Sequence, residues 1–391
     1  MKLLSDLFTL DSNVLDPRIT TSLFTAAKSL INGSELTLTA MGRNAACDTG
    51  GIEKHSIKRI DRLLGNPRLH RVIPRYYQII QNLFITEKHP LIHIDWSTVY
   101  NYNFVMLRAA ISIKGRAITL YEEVHPEEQH AQPMIQKRFL ARLAKLLPSD
   151  CQPIICTDAG FKIPWFKEVS RLNWYWLART RGSVKCKLAT ENQWRYVSDY
   201  HTRASSKAME LPICTLSKRS QYSCRGVLFK GKNKQRHNVN RKGVVTKDNI
   251  NKRHSKSAKE PWFLVSNLPQ NQFGANKLVH LYSRRMAIEE SFRDCKNEYY
   301  GLGLSRSLSR CEKRLQVILL LAMMVQFYLY CVGKAAETQG YHRHFQANTI
   351  TSRRVLSYGY LALRLLKHSR FYLNENMLKA SIEALVEDAK C

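Results

Sequence analysis

The chain has 391 residues, of which 44% are hydrophobic, so it can bury a sizeable core and has room for two or three domains. Its 61 Lys and Arg against 31 Asp and Glu give a formal net charge of +30. Such an excess indicates a polyanionic partner, because cations that neutralise phosphates release counterions. The composition excludes a disordered chain. It favours nucleic acid over anionic lipid, because no basic amphipathic segment stands out.

The sequence also predicts a cytoplasmic protein without a membrane partner. The N-terminus lacks an apolar signal region, and the ten scattered cysteines form no Cys-x-x-Cys pair, which is typical of reduced thiols. The apolar run 315–333 is interrupted by Gln316 and Gln326, so it is better explained as a buried core helix than as a membrane span.

Residues 1–88 are expected to be mostly helical. In segment 55–64 the apolar positions share one face of a helix and the basic positions point largely elsewhere. These basic positions are Lys58, Arg59 and Arg62. Together with a helix around 37–43, this pattern predicts a helix-turn-helix-like module that offers its basic side to DNA. An ordinary amphipathic helix is the alternative.

After Pro90 the periodicity indicates strands. The predicted elements are strands 91–95, 104–112 and 116–122, helix 133–147, strand 153–158, helix 161–171 and strand 174–178. Three antiparallel strands followed by alternating strands and helices predict a mixed α/β sheet covered on both faces. Asp95 and Asp158 are expected where two of these strands end, and such sheets place their chemistry at strand ends.

The pattern changes between residues 179 and 260. Short β-prone pieces at 194–198 and 222–229 precede a basic run from Lys230 to Lys259, in which Asp248 is the only acid. We interpret this region as an inserted β-rich subdomain with a mobile basic loop that orders on DNA, or simply a solvated flexible loop. A strand at 261–268 follows, and the chain after 314 is predicted to be helical, including 355–366 and 376–389.

The segment 277–296 is predicted to be one long helix, because it contains good helix formers and neither Gly nor Pro. At ~100° per residue four polar positions share an arc of about 60°. These are Tyr282, Arg285, Glu289 and Lys296. A phenol, a guanidinium and an ammonium around one carboxylate suit a DNA backbone held beside an acidic metal ligand. Glu290 lies about 100° away from Glu289 and is not preferred. A surface helix with i,i+4 ion pairs is the alternative.

Two strand aspartates and a later helical glutamate form a carboxylate set suited to divalent cations. Mg²⁺ prefers carboxylates, water and phosphate oxygens, and two ions about 4 Å apart stabilise the attacking and leaving oxygens of an in-line displacement. Asp95, Asp158 and Glu289 meet this need. The order of the three residues predicts a site for two Mg²⁺ ions, with Mn²⁺ as a substitute.

The spacing Tyr282-x2-Arg285-x3-Glu289-x6-Lys296 resembles the signature of the family-four bacterial insertion-sequence transposases, members of the DDE superfamily. The resemblance extends over nearly the full chain. It includes segments 58–66, 158–161, 257–262, 300–304 and 344–349.

The resemblance implies a ribonuclease-H-like catalytic core at 89–313, interrupted by a basic β-rich insertion at about 179–261. A helical end-binding domain at 1–88 and a helical region at 314–391, a candidate for dimerisation, flank this core. The implied activity is Mg²⁺-dependent cut-and-paste transposition through DNA hairpins at terminal inverted repeats, with target DNA as the second substrate. A homodimer in the synaptic complex and a location at the bacterial nucleoid are also implied.

The resemblance assigns roles to individual residues. Asp95, Asp158 and Glu289 would be metal ligands. Contacts to end phosphates would come from Tyr282, Arg285 and Lys296. Trp262 would stack on a flipped base, although core packing is its alternative role.

Met286 stands where some family members have a second aromatic residue. Two further functions remain open: a ribonuclease-H-like endonuclease without strand transfer, and a catalytically inert DNA-binding regulator.

Overall fold

The computed structural model describes residues 2–99, 103–231 and 260–390, and it confirms a mixed α/β fold. These residues form ten β-strands and twelve α-helices. The strands are β1 Leu91–Val99, β2 Phe104–Ile113, β3 Arg116–Pro126, β4 Ile154–Thr157, β5 Tyr175–Thr180, β6 Lys185–Leu188, β7 Arg195–Tyr196, β8 Met209–Leu216, β9 Tyr222–Phe229 and β10 Trp262–Ser266. The helices are α1 Lys2–Phe8, α2 Pro17–Gly33, α3 Leu38–Thr49, α4 Glu53–Leu64, α5 Pro67–Phe84, α6 Pro133–Leu146, α7 Ile163–Arg171, α8 Ala275–Ser283, α9 Met286–Lys296, α10 Glu312–Thr338, α11 Tyr358–Leu365 and α12 Glu375–Ala389.

The chain divides into two compact units. The first unit comprises Met1–Pro153 and Arg285–Cys391, and the second comprises Ile154–Arg284. The three-domain division expected from the sequence remains a prediction.

In the first unit, strands β1 to β3 pair antiparallel in the order β3-β2-β1. The side chains of β2 and β3 are buried almost continuously, because helices α5, α9 and α10 pack on β3, whereas residues 95–98 of β1 are partly exposed. Helix α10 is long and apolar enough to cross a membrane, but 94% of its apolar window is buried inside the protein. A helix that is apolar all round and buried is typical of a core. This confirms the core helix predicted at 315–333.

In the second unit the strand order is β4-β5-β10-β9-β8-β6-β7. Strands β4 and β5 are parallel, and the other pairs are antiparallel. Helix α7 packs on β5, where Phe166 stacks on Trp176 with 4.3 Å between ring centroids. The strand expected at 194–198 is only the two residues of β7, followed by a 3₁₀ turn over Val197–Arg203. The basic residues 232–259 lie outside the described residues.

The position of Asp95 differs from the prediction. Strand β1 continues to Val99, so Asp95 lies in the middle of the strand and not at its end. The cause is the pairing with β2, which extends from Ile92 opposite Ile111 to Val99 opposite Phe104. Because β2 is long enough to pair with β1 beyond Asp95, the ladder hydrogen bonds extend β1 to Val99.

The prediction of a single helix at 277–296 is also wrong, because α8 ends at Ser283 and α9 begins at Met286. Helix α8 buries Leu278 and Leu281 against strands of the second unit, whereas α9 packs on the three strands of the first unit. Each helix therefore follows the packing of its own unit. Packing of an apolar face contributes more to helix stability than propensity does, so the uninterrupted propensity did not reveal the break.

Candidate active site

Strand β1 and helix α9 bring two acidic side chains to one arginine. Arg285, which directly precedes α9, donates from Nη1 to Asp95 Oδ2 at 3.1 Å and from Nη2 to Glu289 Oε1 at 2.5 Å. The side chains of Arg285 and Asp95 are 13% and 14% exposed, and that of Glu289 is 39% exposed. One guanidinium thus bridges two of the carboxylates that the sequence analysis selected, although the helix in which Arg285 and Glu289 were placed is broken.

The same face of β1 holds the lysine of the signature. Side chains two residues apart on a strand point to the same face, so Asp95 and Ser97 lie on one side of β1. Lys296 Nζ donates to Ser97 Oγ at 2.7 Å, and Asp95 Oδ1 accepts from the backbone N–H of Trp96 at 2.9 Å. Burial lowers the pKa of Lys296 to about 8. Two cationic and two anionic groups are therefore fixed along β1.

A buried ion pair contacts α9 through Arg108, and the sequence analysis missed it. Arg108 on β2 and Glu122 on β3 are 1% and 0% exposed, with 2.7 Å between Nη2 and Oε2. Arg108 Nη1 also donates to Ser291 Oγ at 3.2 Å, and its guanidinium lies 4.6 Å from the ring centroid of Phe292. A charged residue inside the apolar run of β2 was the available signal. Arg108 therefore fixes α9 to β2, at the position directly opposite Asp95 on β1.

In the second unit Asp158 directly follows β4, which confirms its predicted position at a strand end. Its Oδ1 accepts from the backbone N–H of Gly160 at 2.8 Å. A Cβ atom at position 160 would lie 2.9 Å from that oxygen, closer than real Cβ contacts allow. Glycine at this position therefore leaves room for the orientation of the Asp158 carboxylate.

Trp262 opens strand β10 and is half-buried. Its ring meets Tyr282 edge-on, with 4.9 Å between centroids and 73° between planes, and contacts Phe229 at 5.7 Å. Tyr282 is only 5% exposed. The structure thus places the signature tyrosine against the tryptophan, a contact that the sequence did not predict.

The sequence model of one protein family, described as a transposase DDE domain, matches residues 94–326, which is more than half of the chain. The chain belongs to this family. The matched region includes Asp95, Asp158 and Glu289. A search of curated proteins finds no match. The protein is therefore a DNA-binding transposase of the DDE superfamily, whose members generally act by metal-dependent phosphoryl transfer on DNA.

The acidic side chains of the transposase can be compared with the needs of a divalent cation. Asp95 and Glu289 supply hard oxygen donors, and both already contact a single positive charge on Arg285. Within the described part of the chain, no three His, Cys, Asp or Glu side chains form a ready metal cluster. The carboxylate oxygens of Asp95 and Glu289 are of the donor type that a divalent cation prefers, and the Arg285 guanidinium contacts one oxygen of each.

The N-terminal basic residues of the transposase fall into two groups. Lys58 and Arg62 on α4 are exposed, whereas Arg59 is partly buried and donates from Nε to Ser22 Oγ at 2.9 Å. Helix α5 carries a further set of exposed arginines that the sequence analysis missed, although its spacing of three and four residues was a readable signal. These are Arg68, Arg71 and Arg75.

Proposed function

We propose that this transposase is a family-four insertion-sequence transposase, most like the transposase of the tetracycline-resistance composite transposon. It would excise its element from DNA by nicking, hairpin formation and strand transfer at terminal inverted repeats. The bridging of Asp95 and Glu289 by Arg285 supports this proposal most directly, because two signature side chains meet one of the two strand aspartates in a DDE domain. The protein would act at the bacterial nucleoid.

In this proposal Asp95, Asp158 and Glu289 hold two Mg²⁺ ions, and Mn²⁺ is a substitute. When bound, such ions stabilise the attacking and leaving oxygens of an in-line displacement. The chain itself orients the ligands: the Trp96 N–H holds one oxygen of Asp95, and the Gly160 N–H holds one oxygen of Asp158. Fixed ligands reduce the reorganisation that the reaction would otherwise require.

Phosphates of the transposon end would be bound by Arg285 and Lys296, with Tyr282 as a third contact. Lys296 is held by Ser97, two residues from Asp95 on the same strand face. A phosphate bound there would lie close to the carboxylates. Lysine and arginine serve this role well, because charge-assisted hydrogen bonds to phosphate are stronger than neutral ones.

Trp262 would stabilise the distorted duplex that a hairpin requires. The 3′-hydroxyl must attack the opposite strand, which in B-form DNA lies across the helix. Flipping a base costs a few kcal/mol, and stacking on an aromatic ring returns ~1–3 kcal/mol. The edge-on contact with Tyr282 would hold the Trp262 ring in place, and its partial exposure leaves surface for a base.

Cleavage by variants of the three acidic residues tests the metal assignment. Asp95→Asn, Asp158→Asn and Glu289→Gln should each abolish nicking and strand transfer while leaving binding to DNA largely intact, because binding depends on Lys and Arg contacts to phosphate. Glu290→Gln is the matched control, since Glu290 pairs with Arg293 at 2.8 Å and is not proposed as a ligand. A ligand variant that still cleaves would remove that residue from the site.

Hairpin formation by Trp262→Ala tests the base-flipping role. First-strand nicking should stay near normal while hairpin product falls about tenfold or more, equivalent to ~1.4 kcal/mol. An abasic nucleotide at the flipped position should restore part of the loss. Trp194→Ala, which changes another half-buried tryptophan of the same unit, should not alter the ratio of hairpin to nick. Equal loss of both products would indicate a packing role for Trp262.

The two other functions make different predictions. An endonuclease without strand transfer would cut the end but never join it to target DNA, and an inert regulator would bind without cutting.

We further propose a homodimer in the synaptic complex, because joining two ends to one target requires two active sites. Mixing a catalytically dead protein with a binding-defective one should restore some cleavage if subunits act in trans.

A further inference from the structure

The structure and the proposed function give Arg285 different partners, which exclude each other. In this structure its guanidinium contacts Asp95 and Glu289, whereas the proposed function requires it at a DNA phosphate. The planar fork of arginine can pair with a carboxylate or a phosphate in the same bidentate manner, but it cannot serve both at once. Asp95 Oδ2 and Glu289 Oε1, which accept hydrogen bonds from Arg285, are also oxygens through which these carboxylates would bind a divalent cation.

The contacts of Arg285 also offset a repulsion. The carboxylates of Asp95 on β1 and Glu289 on α9 both contact the Arg285 guanidinium, so they repel each other. Both are partly shielded from water. A cation between them lowers that energy more than it would at an exposed surface. Arg285 lies in the break between α8 and α9, so its side chain reaches the carboxylates from outside the regular helix.

We propose that Arg285 is an exchangeable counter-cation, which neutralises Asp95 and Glu289 in the DNA-free protein and leaves them for a DNA phosphate. This inference rests on the proposed function, since it takes Asp95 and Glu289 as metal ligands. The free transposase is then poorly able to bind a divalent cation. Arrival of the transposon end draws the guanidinium away and makes both carboxylates available, so that cation binding follows DNA binding.

The exchange couples the two ligands in both directions. If DNA raises the affinity for the cation by removing Arg285, the cation must raise the affinity for DNA by the same factor. Cation loading in the absence of DNA is then suppressed. The coupling should disappear when position 285 carries no charge.

Mn²⁺ binding to the full-length, DNA-free protein tests the proposal by electron paramagnetic resonance titration. Arg285→Gln should bind Mn²⁺ about tenfold more tightly than wild type, since a competing cation is removed. Arg285→Lys keeps the charge but loses the planar guanidinium, and its Mn²⁺ affinity should fall between those of wild type and Arg285→Gln. Arg293→Gln is the matched control, because Arg293 lies on the same helix and is 66% exposed, and it should stay within about twofold of wild type.

The double variant Asp95→Asn/Arg285→Gln separates this proposal from the proposed function. Tight Mn²⁺ binding in Arg285→Gln that is lost in the double variant supports both. Binding that depends on Asp95 but is equal or weaker in Arg285→Gln overturns the counter-cation role and leaves the metal ligands in place. If no variant binds Mn²⁺ through Asp95, the ligand assignment fails, and the counter-cation role fails with it.

Thermal unfolding gives a readout that a merely structural role would not produce. Arg285→Gln should melt at a lower temperature than wild type without Mn²⁺, because two carboxylates are left facing each other, and Mn²⁺ should restore the loss. An arginine with only a packing role would give a loss that Mn²⁺ does not repair. Arg293→Gln should show neither effect.

Discussion

Helices α4 and α9 both carry basic side chains that the sequence singled out, but the structure surrounds them differently. On α4, Lys58 and Arg62 are exposed to solvent. At α9, Lys296 is largely buried and donates to Ser97, and the preceding Arg285 bridges two carboxylates. Lys58 and Arg62 on α4 are therefore surrounded by solvent, whereas hydrogen bonds hold Arg285 and Lys296 at defined positions.

Under the proposed function, this difference would give two kinds of DNA contact. Exposed cations attract phosphate without regard to sequence, and that attraction weakens steeply with salt. Cations held beside carboxylates position one particular phosphate, which reduces the entropy lost on reaching the reactive geometry. We therefore expect changes at α4 to alter affinity and its salt dependence, and changes at α9 to alter the geometry of the reaction.

The largest effect should come from removing the support of α9. Arg108→Met leaves the carboxylate of Glu122 buried without its charged partner, and such losses cost about 3–5 kcal/mol of unfolding free energy. Urea unfolding measures this loss. The double variant Arg108→Met/Glu122→Met should recover most of it, because no buried charge then remains.

Arg142→Met is the control for that prediction. Arg142 also pairs with a buried glutamate, Glu123, but its own side chain is 49% exposed, so water can partly replace it. Its loss should be clearly smaller than that of Arg108→Met. Equal losses would show that the depth of the Arg108–Glu122 pair does not determine the stability of this region.

Local patterns in the sequence predicted most individual elements. Strand β9 occupies 222–229 as expected, and the helix predicted at 376–389 is α12, which begins one residue earlier. Strands β6 and β8 were missed. Four-residue β6, with two lysines, has too few apolar positions for a recognisable alternation.

Features that depend on distant residues could not be predicted. The hydrogen bond from Arg108 to Ser291 joins residues 183 positions apart, and no local pattern reports such a contact. The break between α8 and α9 likewise arises because each helix packs on its own unit. For the candidate site, the residue types and their order were readable from the sequence, but the bridging of Asp95 and Glu289 by Arg285 was not.

A smaller effect is expected at Lys296, where it should depend on pH. Burial lowers its pKa from 10.5 to about 8, so the side chain is charged below about pH 8 and neutral above it. Its contribution to DNA affinity should be present below that pH and decline as the pH rises through it. Binding of duplex DNA at constant ionic strength, measured on both sides of pH 8, tests this. Lys296→Arg should remove the pH step and keep the affinity, because arginine remains protonated.

The same pKa shift sets the direction of a stability change. The unfolded chain holds the Lys296 proton more tightly than the folded chain, so this residue makes stability rise with pH between about 8 and 10.5. Lys296→Met should therefore stabilise the protein at neutral pH while weakening DNA binding. A variant that both unfolds more easily and binds DNA normally would contradict the assignment of Lys296 as a phosphate contact.

The smallest effects should come from α4. Lys58→Ala and Arg62→Ala should each reduce the salt slope of DNA binding by about one and weaken binding uniformly across sequences. Neither should change the unfolding free energy by more than about 0.5 kcal/mol, because both side chains are exposed. Arg59→Ala is the informative neighbour: loss of its bond to Ser22 should cost about 0.5–1.5 kcal/mol of stability and leave the salt slope unchanged. If Arg59→Ala alters the salt slope as much as Lys58→Ala does, exposure does not separate the DNA contacts of α4 from its packing contacts.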